Sequence, residues 1–278
     1  MALRITTLSE NTAGTGDLLA EWGLSFLIEI GKDTILFDTG KTITTAHNVA
    51  ALNVDLSQVS KIVLSHGHHD HTGGLRQVLR RIGKEVEVIA HPDIWAPKYR
   101  RRKGKKDRYI GIPFHRQTLE SLGAIFMLTK VSAKVSDNCI TTGEVPMVTD
   151  YETIDSGLIV WTDSGWQPDK LLDDLSLIIK TDLGLVVVLG CAHRGVINTL
   201  YHARDLTGIK TIHAVLGGAH LIDAPRERVQ RTIADLKNLD VQKLGLCHCT
   251  SLPAISALAR EFGDRFFFNI TGTIFEMP

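Results

Sequence analysis

The sequence has little of what marks scaffolded, fibrous or membrane-spanning proteins. Its 278 residues include only four cysteines and eight prolines, which excludes a disulfide scaffold and a collagen-like chain. The longest apolar runs, such as residues 185–189, fall far short of the roughly 20 residues of a spanning helix. The first residues carry no basic head followed by an apolar stretch. We therefore expect a cytoplasmic protein with no membrane partner.

An excess of one charge is also lacking. The chain has 31 Lys+Arg and 31 Asp+Glu, which argues against a nucleic-acid partner, since such partners require a basic face. The balance is locally broken, because eight of the eleven residues 98–108 are cationic. We expect a basic surface lid at about residues 92–113, in which Arg102 and Lys105 contact an anionic substrate. A solvated loop with no binding role is the open alternative.

The apolar pattern predicts an α/β chain. Residues 3–8, 24–30 and 34–37 have the pattern of short strands in an antiparallel meander. In the last third, predicted helices alternate with predicted strands; the helices are 196–206, 225–239 and 252–262, and the strands are 211–216, 241–247 and 266–270. Two halves with strands first and helices after predict two packed sheets with helices outside. We expect one domain over residues 1–278.

Four of the twelve histidines stand within six residues, in the run Ser65-His66-Gly67-His68-His69-Asp70-His71. In an extended segment, side chains two apart point the same way, so His66 and His68 can hold one ion. Asp70 and His71 can then face a second position. So many titratable groups at a strand end repel one another unless a cation binds. Imidazole suits Zn, Fe, Ni or Cu, and a carboxylate also admits Mn.

The pattern His66-x-His68-x-Asp70-His71 resembles the signature of the metallo-β-lactamase superfamily. This resemblance implies a four-layer αββα sandwich with a one- or two-metal site at one edge. It also implies that Asp38, in the turn Asp38-Thr39-Gly40, orients the metal-binding loop more than it binds metal.

Two later segments complete the expected ligand set. Cys191 and His193 follow one buried strand, and His248 follows another, between Cys247 and Cys249. Strand ends on the same edge of a sandwich can converge. We assign His193 to the ion beside His66 and His68, and His248 to the ion beside Asp70 and His71. Alternation predicts that Cys247 and Cys249 point away from the metal, into packing.

One position departs from the family pattern. Most superfamily members bridge the two metals with an aspartate near the position of His193, where this chain has Gly-Cys-Ala-His. Asp174 and Cys191 are the candidate substitutes. The segments 190–199, 217–221 and 248–250 also resemble one branch of the superfamily, which includes the archaeal 7,8-dihydropterin-6-methyl-4-(ribofuranosyl)-aminobenzene-5'-phosphate synthase and many uncharacterised metal-dependent hydrolases.

These features predict a metal-dependent hydrolase that uses metal-bound hydroxide on a small, phosphate-bearing ester. Asp70 would orient the nucleophile, and His220 would contact the substrate as an acid or hydrogen-bond donor. We expect one or two divalent ions, zinc first, with manganese, iron and nickel as alternatives. A synthase or transferase acting on a pterin or phosphoribosyl substrate and a metal-stabilised binding or signalling module are the alternative functions. A homo-oligomer is also open.

Overall fold

The computed structural model describes residues 2–278, which form a mixed set of strands and helices. The strands are β1 (Leu3–Ser9), β2 (Ser25–Ile30), β3 (Asp33–Phe37), β4 (Lys61–Val63), β5 (Val86–Ala90), β6 (Lys98–Arg100), β7 (Arg108–Tyr109), β8 (Ala124–Leu128), β9 (Lys134–Ser136), β10 (Cys139–Thr141), β11 (Leu158–Thr162), β12 (Gly165–Pro168), β13 (Ser176–Thr181), β14 (Gly184–Leu189), β15 (Ile212–Gly218), β16 (Lys243–Cys247) and β17 (Ile274–Met277). The α-helices are α1 (Thr44–Ala51), α2 (His69–Thr72), α3 (Leu75–Ile82), α4 (Arg116–Glu120), α5 (Val196–Thr207), α6 (Arg226–Asn238) and α7 (Leu252–Phe262). Among residues 2–278, no helix combines the length and the apolar composition needed to cross a membrane.

The described chain divides into two compact units, each built from separate stretches of sequence. The N-terminal unit comprises Ala2–Lys130, Ile154–Asp173 and Ile270–Pro278. The C-terminal unit comprises Val131–Thr153 and Asp174–Asn269. The organisation of the chain as a single domain stays a prediction.

The main sheet of the N-terminal unit has seven strands in the order β17-β1-β2-β3-β4-β5-β8. Strands β1, β2 and β3 pair antiparallel, which confirms the predicted meander. From β3 onwards the pairing is parallel, through β4 and β5 to β8. Parallel neighbours have their carboxyl ends at the same edge of the sheet, so the segments that follow β3 and β4 start side by side.

Helix α3 shows how sequence fixes the packing of this unit. Its buried residues Leu75, Val78, Leu79 and Ile82 recur at intervals of three and four, which places them on one face of the helix. They share a core with residues of the main sheet such as Leu36. The helix ends at Gly83, whose left-handed backbone suits glycine.

The basic segment contains two short strands that the sequence did not predict, and its role as a lid stays a prediction. Lys98–Arg100 and Arg108–Tyr109 are β6 and β7, which belong to a four-stranded antiparallel sheet of order β12-β11-β6-β7. Lys98 is buried between two aspartates, whereas Arg100 pairs with Asp155 and Arg101 with Asp107. These ion pairs neutralise part of the charge that the sequence assigns to an open loop. Arg102 and Lys105 do lie in the exposed turn between β6 and β7.

The C-terminal unit has a six-stranded sheet of order β16-β15-β14-β13-β10-β9. The three strands β14, β15 and β16 are parallel and are connected through α5 and α6. Such crossover helices are the usual connection between parallel strands. Every residue of β14 is buried, as its continuous apolar sequence predicts for a strand covered on both faces.

The predicted strand at residues 266–270 is wrong. This segment makes only an isolated bridge between Phe266 and Leu244. The Phe267 N–H donates to the Leu244 carbonyl, but the next contact to the same strand comes from the side-chain amide of Asn269, which donates to the Gly245 carbonyl. The Asn269 side chain therefore makes a contact with β16 that the backbone of a regular strand would make. The terminal strand is instead β17, paired with β1.

Candidate metal centre

The histidine loop, residues 65–72, follows β4 in the N-terminal unit, and Asp38 follows the neighbouring strand β3. Asp38 is fully buried and has a positive φ of 57°. Its Oδ1 accepts the Ser65 backbone N–H at 2.7 Å, and its Oδ2 accepts the Ser65 hydroxyl at 2.7 Å. Asp38 thereby fixes the first residue of the loop.

The same Asp38 carboxylate fixes the orientation of His71. The Nδ1 of His71 lies 2.6 Å from Asp38 Oδ2, and both side chains are fully buried. Because a carboxylate can only accept, Nδ1 carries the hydrogen of this bond, and Nε2 is left with the lone pair. A carboxylate behind one ring nitrogen is the usual support for a histidine that binds metal through the other.

Ser65 determines the tautomer of His66 by a similar argument. The Ser65 hydroxyl donates its one hydrogen to Asp38, so its oxygen accepts a hydrogen bond from His66 Nδ1, which lies 2.9 Å away. The lone pair of His66 is then on Nε2, which lies 3.0 Å from Nδ1 of His68. Burial, followed by the nearby His71 and His68, lowers the pKa of His66 well below its usual value. His66 is therefore neutral, the form that binds metal.

Asp70 lies beside His71 in the short helix α2. A carboxylate oxygen of Asp70 and a ring nitrogen of His71 are within 4.8 Å of each other, and both residues are buried. The extended backbone ends at His68, which precedes α2. The backbone therefore changes direction between the two pairs, but the rings of His66 and His71 stay in contact, with centroids 4.3 Å apart. The division of these residues between two ions stays a prediction.

A buried ion network holds the middle of the histidine loop. The Asp173 carboxylate accepts the Gly67 N–H at 2.8 Å and the Lys98 ammonium at 2.9 Å. Lys98 also donates to Asp169 at 2.8 Å. Burial alone lowers the pKa of Lys98, but the charges of Asp173 and Asp169 outweigh it and raise that pKa. Sequence reasoning missed this network, because Lys98 appears there as one of eight loop cations.

Gly67 is required by this packing. A Cβ at this position would lie 2.6 Å from the Ile94 carbonyl oxygen and 3.2 Å from Lys98 Cε. The first distance is too short for any side chain. The backbone between His66 and His68 therefore packs directly against Ile94 and Lys98.

The second group of donors, which we call the strand-end cluster, lies in the C-terminal unit and consists of Cys191, His193, His220, His248 and Cys249. These residues follow the parallel strands β14, β15 and β16. Donor atoms of Cys191, His193 and His220 lie within 4.8 Å of one another, and so do those of Cys191, His248 and Cys249. The rings of His193 and His220 have centroids 4.0 Å apart.

The backbone of the strand-end cluster is bent at each strand end. Ala192, His220 and His248 have φ values of 47°, 41° and 54°, a region that residues other than glycine rarely adopt and that clusters at functional sites. The bend at His248 also changes the direction of Cys249. Residues 248–250 form a 3₁₀ turn, so the predicted alternation fails, and Cys249 joins His248 and Cys191 instead of pointing away.

Two buried acids support the loop after β14. Asp174 accepts the Arg194 N–H at 2.9 Å. Glu152 accepts the N–H groups of Ile197 and Asn198, at 3.0 and 2.8 Å, and so caps the first turn of α5. The segment that follows His193 is therefore fixed at Arg194 and again at Ile197 and Asn198.

Both groups fit a divalent ion by the chemistry of their donors. The histidine loop offers neutral imidazole and carboxylate, and the strand-end cluster offers imidazole and thiol. These are the ligand types of Zn²⁺ and related ions. The contacts of Asp38 and Ser65 with the two rings show that His66 and His71 can present lone pairs.

This combination of parallel strand ends with clustered imidazole, carboxylate and thiol groups defines a mixed α/β protein with candidate metal ligands. Residues 23–196 match the family model of the metallo-β-lactamase superfamily, and the chain belongs to that superfamily.

Individual relatives agree with this assignment. The chain is 33% identical to the 7,8-dihydropterin-6-methyl-4-(beta-D-ribofuranosyl)-aminobenzene-5'-phosphate synthase of Methanocaldococcus jannaschii, over 95% of this chain and 93% of that protein. It is also 33% identical to the uncharacterized protein MJ0448 of the same organism, over 97% and 98%. Among solved structures, Tm1679, a metal-dependent hydrolase of the β-lactamase superfamily, matches with a TM-score of 0.85 and 25% identity over 99% of both chains. The predicted fold class is confirmed.

The buried ion network generates a prediction about stability. Lys98→Met should lower the free energy of unfolding by about 3–5 kcal/mol, because it leaves two carboxylates buried without their cation. Urea denaturation followed by circular dichroism measures this change. Lys105→Met, in the exposed turn, is the matched control and should change stability by less than about 0.5 kcal/mol. Equal effects of the two substitutions would contradict the role of Lys98.

Proposed function

We propose that this protein is a metal-dependent hydrolase acting on a small ester, with phosphate-bearing esters as the first class to test. The observation that carries the proposal is the contact of Asp38 with His71, because it commits a fully buried ring to present its Nε2 lone pair. Membership of the metallo-β-lactamase superfamily supports the same conclusion.

We assign the ions to ligands drawn from both donor groups. His66, His68 and His193 would hold the first ion, and Asp70, His71 and His248 the second. Zinc is the ion we put first, because imidazole and thiol donors are both present. Bound divalent ions polarise a substrate oxygen and lower the pKa of a coordinated water molecule.

The chain's own groups would orient the reactants. Asp70, which is buried and next to His71, would hold one carboxylate oxygen toward the attacking water. His220 is half-buried, with its ring against that of His193, and would donate a hydrogen bond to the substrate. Arg102 and Lys105, exposed in the β6–β7 turn, would attract an anionic group.

A synthase or transferase is the second candidate, because a relative of 33% identity over nearly the whole chain carries a synthase name. That reaction would join a pterin that carries a leaving group on its side-chain carbon to the amine of an aminobenzene ribotide, so that a C–N bond forms as the leaving group and the amine proton depart. Incubation of the metal-loaded protein with both compounds separates the candidates. A coupled product supports the synthase, whereas release of inorganic phosphate or an alcohol supports hydrolysis.

The activity should be lost when the metal is removed. The zinc-loaded protein should hydrolyse at least one class in a panel of phosphodiesters, lactones and thioesters, and chelation should abolish turnover. Asp70→Ala should reduce kcat by at least about 100-fold, a typical effect of removing a group that acts in proton transfer or metal binding. Asp163→Ala, in the exposed β11–β12 turn, should retain full activity. A metal-replete protein inert toward the whole panel would overturn the hydrolase proposal.

Metal affinity should depend on Asp38, although we do not assign Asp38 as a ligand. Asp38→Asn should weaken zinc binding by about 10–100-fold, because the neutral amide supports the His71 ring less well. Competition with a chromophoric chelator measures the affinity, and circular dichroism checks that the variant is folded. Asp163→Asn serves as the control. Unchanged zinc affinity in folded Asp38→Asn would show that the carboxylate does not support a metal-binding histidine.

A further inference from the structure

The two cysteines of the strand-end cluster, Cys191 and Cys249, lie close to each other and to His248. Donor atoms of Cys191, His248 and Cys249 lie within 4.8 Å of one another, and all three residues are buried. All three belong to the C-terminal unit. Ligand atoms around a tetrahedral zinc ion, at 2.0–2.3 Å from the metal, are separated by about 3.3–3.8 Å. Only a small adjustment of side chains is needed to reach that geometry.

Asp174 is the competing candidate for a metal ligand in this region, but its carboxylate binds the backbone. Its Oδ2 accepts the Arg194 N–H, which fixes the loop after β14. Asp174 is not a member of either donor group of the strand-end cluster, whereas Cys191 is a member of both. The thiol is therefore better placed than the carboxylate.

Cys249 receives a hydrogen bond that a thiolate would keep. Its Sγ accepts the His220 backbone N–H at 3.3 Å. Its S–H donates to the Cys191 carbonyl oxygen at 3.7 Å, a bond that is given up when the thiol loses its proton. A backbone N–H directed at sulfur stabilises negative charge on it. Gly218 provides the space, since a Cβ there would lie 2.6 Å from Cys249 Sγ and 3.2 Å from Cys191 Cα.

We propose that Cys191 and Cys249 are metal ligands that add two thiolates, beside His248, to the ligands of a thiophilic divalent ion such as Zn²⁺. This inference rests on the proposed function, because the ion at His248 is the second ion assigned there and the thiolates join its ligand set. On binding, each thiol loses its proton to solvent and its sulfur bonds to the ion, so the step needs no oxidant or reductant. Two soft ligands select zinc, cobalt or cadmium over manganese.

Cobalt substitution tests this assignment directly, because thiolate coordination of Co²⁺ produces a charge-transfer absorption in the near ultraviolet that imidazole and carboxylate do not. The metal-free protein is titrated with Co²⁺ and the band is recorded. Cys191→Ser and Cys249→Ser should each lose about half of the band intensity, and the double variant should lose all of it. Cys139→Ser and Cys247→Ser, the matched controls, should retain it.

The outcomes separate this inference from the proposed function. Bound Co²⁺ with only its visible ligand-field bands, and no thiolate band, would overturn the thiolate site and leave the metal enzyme standing. A protein that binds no Co²⁺ would overturn both. Loss of the band in Cys247→Ser or Cys139→Ser, but not in Cys191→Ser and Cys249→Ser, would also overturn the assignment. Cys191→Asp and circular dichroism guard against misfolding, since the folded aspartate variant should bind Co²⁺ with half of the band.

Discussion

The histidine loop depends on one buried carboxylate, that of Asp38. A charge without access to water is stable only if it is satisfied by hydrogen bonds, and Asp38 receives them from the Ser65 backbone, the Ser65 hydroxyl and His71. Each of these bonds also constrains a group of the candidate site. Because the Ser65 hydroxyl donates to Asp38, it can only accept from His66. A single carboxylate therefore determines the tautomers of both His71 and His66.

Buried acids set the loop backbones in both units. Asp173, with Lys98 behind it, holds the Gly67 peptide of the histidine loop. In the C-terminal unit, Asp174 and Glu152 hold peptide groups between Arg194 and Asn198. In each case a carboxylate binds backbone N–H groups beside a histidine. Because these carboxylates bind the backbone, they fix the loops while the histidine ring nitrogens stay available to a metal ion. A preorganised metal site requires such support.

The sequence was sufficient for the features that follow from local pattern. The meander, the alternation of α5 and α6 with parallel strands, and the grouping of His193 with a strand end all follow from periodicity and from apolar runs. The burial of Lys98 could not be predicted, because its partners Asp169 and Asp173 lie some 70 residues away in the chain. The direction of Cys249 was missed for a different reason. Alternation assumes an extended backbone, and the left-handed conformation of His248 ends it.

The central claim is that Asp38 and Ser65 orient the rings of His66 and His71 so that each can bind a metal ion through its Nε2. Anomalous diffraction from crystals of the zinc-loaded protein, collected on both sides of the zinc absorption edge, tests it most directly. We expect the Nε2 atoms of His66 and His71 each to lie about 2.0–2.1 Å from an anomalous peak. Bound zinc with no peak near either Nε2 atom would contradict the claim.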